Sequence, residues 1–305
     1  MVACPPIKES AVRPSALIFA LSLFICAPVA AQTVPRAVIE DPAPDANHPA
    51  RMEVIHVPSG GVNINGVVYV ASGPEPHPTF VLFHGLPGNE KNLDLAQAVR
   101  RAGWNAVTIN YRGSWGSPGT FKFAQNLEDA DAVLAFIRDP ANAKRLDIDT
   151  SRIALGGHSM GGWVTAETLG HDSGVLGAVI ISAGDMGGAG VRSRGNPATL
   201  IANMNDNREA LAGATGESMA DELIAHGPEW SFATLAPKLV NKRLLVLYGN
   251  DFVAANSVAL ISAVKAAGGT ELQSVHVPTD HSWSDHRIAL ESLVINWLQT
   301  LPAVP

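Results

Sequence analysis

One serine stands out by its neighbours. Gly157-His158-Ser159-Met160-Gly161 sets a hydroxyl between two glycines, directly after the apolar run Arg152–Leu155 and at the start of a helical stretch. The glycines let the backbone turn tightly from strand to helix without a Cβ clash, which leaves Ser159 exposed as a nucleophile. A helix starting at that point aims backbone N–H groups and its dipole at negative charge developing on a substrate. Serine needs a base. His281, in Thr279-Asp280-His281-Ser282-Trp283 just beyond the final apolar run, supplies an imidazole that can take the serine proton and hand it to a leaving group. His286 competes for that role, but its place within the expected closing helix suits a solvated or capping side chain. His84 reads as a structural tie for its own turn, and Asp280 as local structure, because it is poorly placed to bond its neighbour's ring. The spacing of His281, Asp285 and His286 matches no familiar zinc pattern, so neither a metal nor any other cofactor is expected.

Short apolar runs alternating with helical stretches must position these groups. Strands are expected at Met52–Val57, Val62–Val70, Thr79–His84, Trp104–Asn110, Arg152–Leu155, Val175–Ser182, Arg243–Tyr248 and Glu271–Val277. The nearly all-apolar Thr79–His84 run suits a strand covered on both faces. Helices are expected over Lys91–Ala102, Asn126–Arg138, Ser159–Leu169, Asn256–Ala267 and Trp283–Leu298. This alternation implies an α/β fold: a mostly parallel, doubly wound sheet joined by right-handed crossovers and flanked by helices on both faces. The rhythm breaks over about 185–240, where Pro197–Arg208 and Ser218–His226 look helical and no strand is evident. So long an interruption reads as a helical cap insertion over the site, with a disordered loop as the alternative.

The run from Phe80 to Leu298 resembles the α/β-hydrolase superfamily. Within it, Asn110-Tyr111-Arg112-Gly113 with Gly116, Ser117, Pro118 and Gly119 is similar to the dienelactone-hydrolase-like and prolyl-oligopeptidase-like branches. The resemblance implies one domain over 51–305 and a triad ordered nucleophile, acid, histidine. It makes Asp251, after the strand Arg243–Tyr248, the acid, with Asp185 after Val175–Ser182 as the rival. It also implies an oxyanion hole from the backbone N–H groups of Leu86, in His84-Gly85-Leu86-Pro87-Gly88, and of Met160. The implied activity is carboxylic-ester hydrolysis through an acyl-enzyme. Peptide or amide hydrolysis is the alternative, weakened because no stretch is long enough for the N-terminal propeller that branch often carries. A non-catalytic binding protein on the same fold is a further alternative, though such proteins usually lose a triad member. Haloalkane and epoxide cleavage use a carboxylate where Ser159 stands. Trp115, Trp230 and Trp283 are candidates to line the pocket, core packing being the alternative.

Composition bounds the rest. With 47% hydrophobic and 16% charged residues, the chain can bury a sizeable core, and a net charge of −7 without basic clusters argues against nucleic-acid partners. The expected partner is a small-molecule ester or amide, and the sequence leaves the oligomeric state open. Lys8 and Arg13, the apolar stretch Ala16–Ile25 and the small residues Val29, Ala30 and Ala31 read as a signal peptide over 1–31, hence an exported protein, periplasmic or secreted. The stretch is short against the roughly 20 residues of a spanning helix, so stable membrane insertion after signal removal is not expected, an uncleaved anchor being the alternative. Leu23, Phe24 and Ile25 lack the small residue that precedes a lipidated cysteine. Both cysteines, Cys4 and Cys26, fall in this segment, which excludes a thiol nucleophile or disulfide from the mature chain. Residues 32–50, rich in Pro, Ala and Asp, read as a linker.

Overall fold

Strand pairing sets which residues share an edge of the molecule. The computed structural model describes Met1 and residues 33–302 apart from Glu75; the expected signal segment lies outside the described residues. Eight strands, β1 (Arg51–Ser59), β2 (Val62–Val70), β3 (His77–Phe83), β4 (Asn105–Ile109), β5 (Ile148–His158), β6 (Val175–Ile181), β7 (Leu244–Tyr248) and β8 (Leu272–His276), form one sheet in the order β1-β2-β4-β3-β5-β6-β7-β8. β1 pairs antiparallel with β2 and β2 with β4, and every later pairing is parallel. This is the mostly parallel, doubly wound sheet that the alternation implied.

The helices are α1 (Arg36–Ile39), α2 (Leu93–Arg101), α3 (Phe123–Arg138), α4 (Pro140–Arg145), α5 (Met160–His171), α6 (Met186–Arg192), α7 (Ala198–Asn205), α8 (Gly216–Trp230), α9 (Phe232–Leu235), α10 (Ala254–Ala266) and α11 (Arg287–Leu298). Period-two alternation divides the strand side chains between two layers. Val81 and Phe83 pack with Val133 of α3, Val164 of α5 and Leu260 of α10, whereas Phe80 and Leu82 pack with Leu95 of α2 and Val294 of α11. All of β3 is buried, as its apolar run required.

Register then gathers the strand ends. Phe83 pairs with Gly157, His158 with Ile181, Ile181 with Leu247 and Tyr248 with His276. The segments beginning at His84, Ser159, Ser182, Gly249 and Val277 therefore leave the sheet side by side at its carboxyl edge, where open α/β sheets build their sites.

Three segments refine the sequence reading. Between β6 and β7 lie α6 to α9 and a tight helical turn at Ala236–Leu239. α8 opens with a capping box between Thr215 and Ser218, and its Glu222 carboxylate accepts the Phe123 and Ala124 N–H groups at 3.0 and 2.9 Å, pinning the helix to the start of α3. The closing helix starts at Arg287 rather than Trp283, because Trp283 has φ 59° and the preceding turns use side chains of Asp280 and Thr279. The stretch expected as linker begins with α1, which docks on the domain: Arg101 Nε donates to the Ala37 carbonyl at 2.6 Å and Asn296 Nδ2 to that of Thr33 at 3.1 Å. Among the described residues no helix is long and apolar enough to cross a membrane.

Candidate active site

β5 runs straight into the turn at Ser159. Ser159 has φ 57° and ψ −119°, between His158 at the strand end and Met160 at the start of α5. A non-glycine residue held there costs about 1–3 kcal/mol, so the surroundings must enforce it. They do so with backbone. A Cβ on Gly157 would strike the Gly161 carbonyl, and one on Gly161 would strike the Phe83 carbonyl of β3. Ser159 donates its N–H to the Ile181 carbonyl at 3.0 Å, and its carbonyl accepts from Gly162 at 3.0 Å and Gly184 at 3.2 Å.

The turn after β3 lies against this bend. A Cβ on Gly85 would sit 2.9 Å from Ser159 Cβ and 3.5 Å from its Oγ, so only glycine lets the two approach so closely. Leu86 follows, and among the described residues neither its N–H nor that of Met160 donates to a protein acceptor. Such free donors are what an oxyanion hole requires. His84 ties its own turn: its Nδ1–H donates to the Gly85 carbonyl at 2.8 Å, and burial lowers its pKa to about 4, so the ring is neutral.

From the next strands come a carboxylate and an imidazole. His281 Nδ1–H donates to Asp251 Oδ2 at 2.9 Å, and Asp251 Oδ1 accepts the Val253 N–H at 3.0 Å. The Asp251 side chain is 2% exposed and that of His281 22%. Burial works to raise the Asp251 pKa, but the hydrogen bonds from His281 and Val253 outweigh it and hold the carboxyl below its ordinary value. The His281 backbone is fixed to the Ser159 turn, because His158 Nε2–H donates to the His281 carbonyl at 2.8 Å and the two rings lie 4.7 Å apart. Burial, followed by the neighbouring His281 charge, lowers His158 to about 4, so it acts as a neutral donor. Ser159 Oγ and His281 are not joined by a hydrogen bond among the described residues. Such bonds often tighten only when substrate is bound.

The competing residues are engaged elsewhere. Asp185 Oδ1 caps α6 through the Gly188 N–H at 2.8 Å and accepts the Phe232 N–H at 3.1 Å. His286 Nδ1 sits 2.9 Å from Asp285, and Asp280 accepts the Ser284 N–H at 2.9 Å. Among the described residues no group of His, Cys, Asp and Glu could hold a metal ion.

Of the three tryptophans, Trp115 is partly exposed and donates to the Pro87 carbonyl beside the Leu86 turn at 2.6 Å. Trp230 is buried against Trp163. Trp283 is fully buried and donates to Ser182 Oγ at 3.1 Å, so it supports the site rather than lining it. Sequence reasoning missed three neighbours. His158 was visible only as the variable position of the nucleophile motif. Phe252, 83% exposed with its ring 4.6 Å from that of His281, was masked by its neighbour Asp251. Ser182 closed an apolar run and carried no motif at all.

Comparison with known proteins agrees with this architecture. A family model described as an alpha/beta hydrolase family matches residues 80–291. An esterase from Pyrobaculum calidifontis superposes with a TM-score of 0.58 at 20% identity, covering 84% of this chain and 87% of the other. An acylaminoacyl peptidase from Pyrococcus horikoshii gives 0.62 at 16% identity, covering 84% of this chain but 42% of the peptidase. A Rhizomucor miehei esterase gives 0.62 at 16% identity, with 86% and 85% covered. At such identities the likeness speaks for the fold. A search of curated proteins returned no match. The matched segment spans the strand ends that carry Leu86, Ser159, Asp251 and His281, and the chain belongs to the alpha/beta hydrolase family.

Proposed function

We propose that this protein is an exported serine hydrolase that cleaves carboxylic esters through an acyl-enzyme intermediate. The observation that carries the reading is the Asp251–His281 hydrogen bond, anchored through the His281 carbonyl to the residue preceding Ser159. His281 Nε2 takes the proton from Ser159 Oγ as that oxygen attacks the substrate carbonyl carbon. The Leu86 and Met160 N–H groups receive the oxyanion, a type of stabilisation worth about 3–4 kcal/mol per donor. As the tetrahedral intermediate collapses, the imidazolium returns the proton to the departing alkoxide. Water, deprotonated by the same ring, then attacks the acyl-serine, and the proton goes back to Ser159. Asp251 keeps Nε2 in the accepting tautomer throughout.

In this reading α6 to α9 form a cap. Its support is the clasp between the insertion and the loop after β4, where Ala212 N–H donates to the Gly113 carbonyl at 2.7 Å and Trp115 N–H to that of Ala210 at 3.1 Å. Export rests on the apolar Ala16–Ile25 run and the small residues before Gln32. It predicts a mature N-terminus at Gln32 in the extracytoplasmic fraction, and a full-length N-terminus there would contradict it.

A kinetic screen of short-chain p-nitrophenyl esters against aminoacyl-nitroanilides tests the substrate class. Higher kcat/KM on the esters is the expected result. Preference for the anilides replaces the esterase reading with a peptidase, and turnover of neither, without serine labelling, replaces it with a binding protein.

A further inference from the structure

The turn that carries Leu86 is tied on both sides of that residue, and only one tie comes from within it. The Gly85 carbonyl and the Leu86 N–H belong to one planar peptide unit, so the bond from His84 Nδ1–H to that carbonyl sets the direction of the N–H. Beyond Leu86, the Pro87 carbonyl accepts the Trp115 indole N–H at 2.6 Å. Trp115 reaches it from the loop after β4, where its own backbone is gripped twice. Its N–H donates to the Ala210 carbonyl of the insertion at 3.1 Å, and its carbonyl accepts from Asn110 Nδ2 at 3.2 Å. Lys91 Nζ lies 4.3 Å from the centre of the indole and donates to Asn110 Oδ1 at 2.9 Å, so a cation covers the ring as well. Trp115 has φ 47°, in the left-handed region that Gly113, Gly116 and Gly119 around it occupy as glycines. A bulky residue held there against its backbone preference points to a role for its side chain.

We propose that Trp115 is a positioning residue of the oxyanion hole: its indole N–H holds the Pro87 carbonyl, and with it the Leu86 N–H, in the direction that receives the oxyanion. The inference rests on the serine-hydrolase reading above. His84 and Trp115 bracket Leu86, one fixing the peptide before it and the other the carbonyl after it. An indole nitrogen only donates, so the tie runs one way, from the loop to the turn. The insertion takes part in the same arrangement. Ala212 N–H donates to the Gly113 carbonyl at 2.7 Å, Phe121 N–H to that of Ala212 at 3.0 Å, and Asn89 Nδ2 to Glu209 Oε1 at 3.1 Å. Residues 209–212 therefore hold both the loop that carries Trp115 and the segment just after Pro87. A donor aimed in advance needs no reorganisation when the oxyanion forms, and a turn free to swing loses part of that advantage.

The test uses Trp115→Phe, and replacement of Trp115 by benzothienylalanine, in the full chain beside wild type. The second change puts sulfur where the N–H was and keeps the shape of the ring, so it serves even where Trp115→Phe folds poorly. Each protein is assayed on the best p-nitrophenyl ester and with an aliphatic trifluoromethyl ketone as inhibitor. Ser159 Oγ adds to the ketone carbon, its proton passes to His281, and the ketone oxygen becomes an anion in the same hole, so the inhibitor reports on the donors directly. Both variants are expected to lose about tenfold in kcat at constant KM, and the inhibition constant of the ketone is expected to rise about tenfold with that loss. Wild-type kcat and ketone affinity in the benzothienylalanine protein overturn the inference and leave Trp115 a packing residue. A loss carried by KM, with kcat and ketone affinity unchanged, overturns it as well and makes Trp115 a wall of the substrate pocket. A wild-type enzyme that neither turns over ester nor labels at Ser159 defeats the serine-hydrolase reading instead, and the two failures are therefore distinct.

Discussion

The serine turn and the histidine loop meet at one edge of the sheet, yet they are held by different means. At the serine turn the constraints are backbone against backbone: Gly157 against the Gly161 carbonyl, Gly161 against that of Phe83, and the Ser159 N–H on the Ile181 carbonyl. At the histidine loop they are side-chain hydrogen bonds, some local and some to distant elements. His158 holds the His281 carbonyl, Asp280 caps Ser284, Trp283 reaches Ser182, and Arg287 Nη1 donates to the Ser282 carbonyl at 2.8 Å. Both regions contain a non-glycine residue at positive φ, Ser159 at 57° and Trp283 at 59°. The first region is rigid because nothing larger than hydrogen fits. The second is adjustable, because each support is one replaceable side chain.

That contrast is sharpest in how chemistry and stability separate. Asp251→Asn should lower kcat by about 10⁴-fold, because an amide leaves the imidazole in the wrong tautomer, while the melting temperature changes little. Asp185→Asn should leave kcat within about threefold and the α6 cap nearly unchanged, since an amide oxygen still accepts the Gly188 N–H. Steady-state kinetics and thermal melts on both variants check this, and an equal kcat loss in the two would restore Asp185 as a rival acid.

The reverse pattern is expected at the serine turn. Gly161→Ala forces a methyl into the Phe83 carbonyl, a fault of overpacking that should cost about 1–3 kcal/mol in urea unfolding and carry activity down with it. A Gly161→Ala protein of wild-type stability would erase the distinction between the two regions.

Legibility in the sequence follows the same division. The serine turn was readable because its constraints are local: the glycines that must be small stand within one pentapeptide after an apolar strand. The sheet was readable for a similar reason, since strands buried throughout, as β3 is, or nearly so, as β6 is, leave long apolar runs. Strand ends moved where burial stops short of the ladder. β5 extends back to Ile148 through the partly exposed stretch Asp149–Arg152, which has no apolar signature. The histidine loop was legible only in His281 itself. Its long-range partners are Ser182 after β6 and His158 at the end of β5, and no sequence spacing announces contacts between elements so far apart. Residue type misled as well: Trp283 suggested a pocket wall, whereas its indole N–H serves a buried serine.

Smaller effects refine the picture at the rim. Phe252 is exposed and leans on the His281 ring, so Phe252→Ala should reduce kcat/KM about threefold to tenfold for esters of aromatic alcohols and less for ethyl esters. Equal losses on both substrate sets would make Phe252 a support for the ring rather than a substrate contact.

The smallest expected effect lies behind the loop. Arg287 pairs with Asp94 at 2.7 Å, and Glu291 beside them is pushed up to about 7, first by burial and then by the Asp94 charge. Unfolded, this carboxyl ionises at its ordinary value of 4.5; folded, it keeps its proton to about 7. The native state therefore binds more proton across that window, and stability falls as pH rises through it. Glu291→Gln should flatten this slope by about 1–2 kcal/mol between pH 5 and pH 8 in urea titrations. An unchanged slope would remove Glu291 from the pH response of the loop.

The most direct test is stoichiometric labelling with a fluorophosphonate, read by intact mass and peptide mapping. Wild type should gain one adduct, on the peptide that carries Ser159. Ser159→Ala should gain none, and His281→Ala should react far more slowly. Equal labelling of wild type and Ser159→Ala, or an adduct on any other residue, would contradict the account.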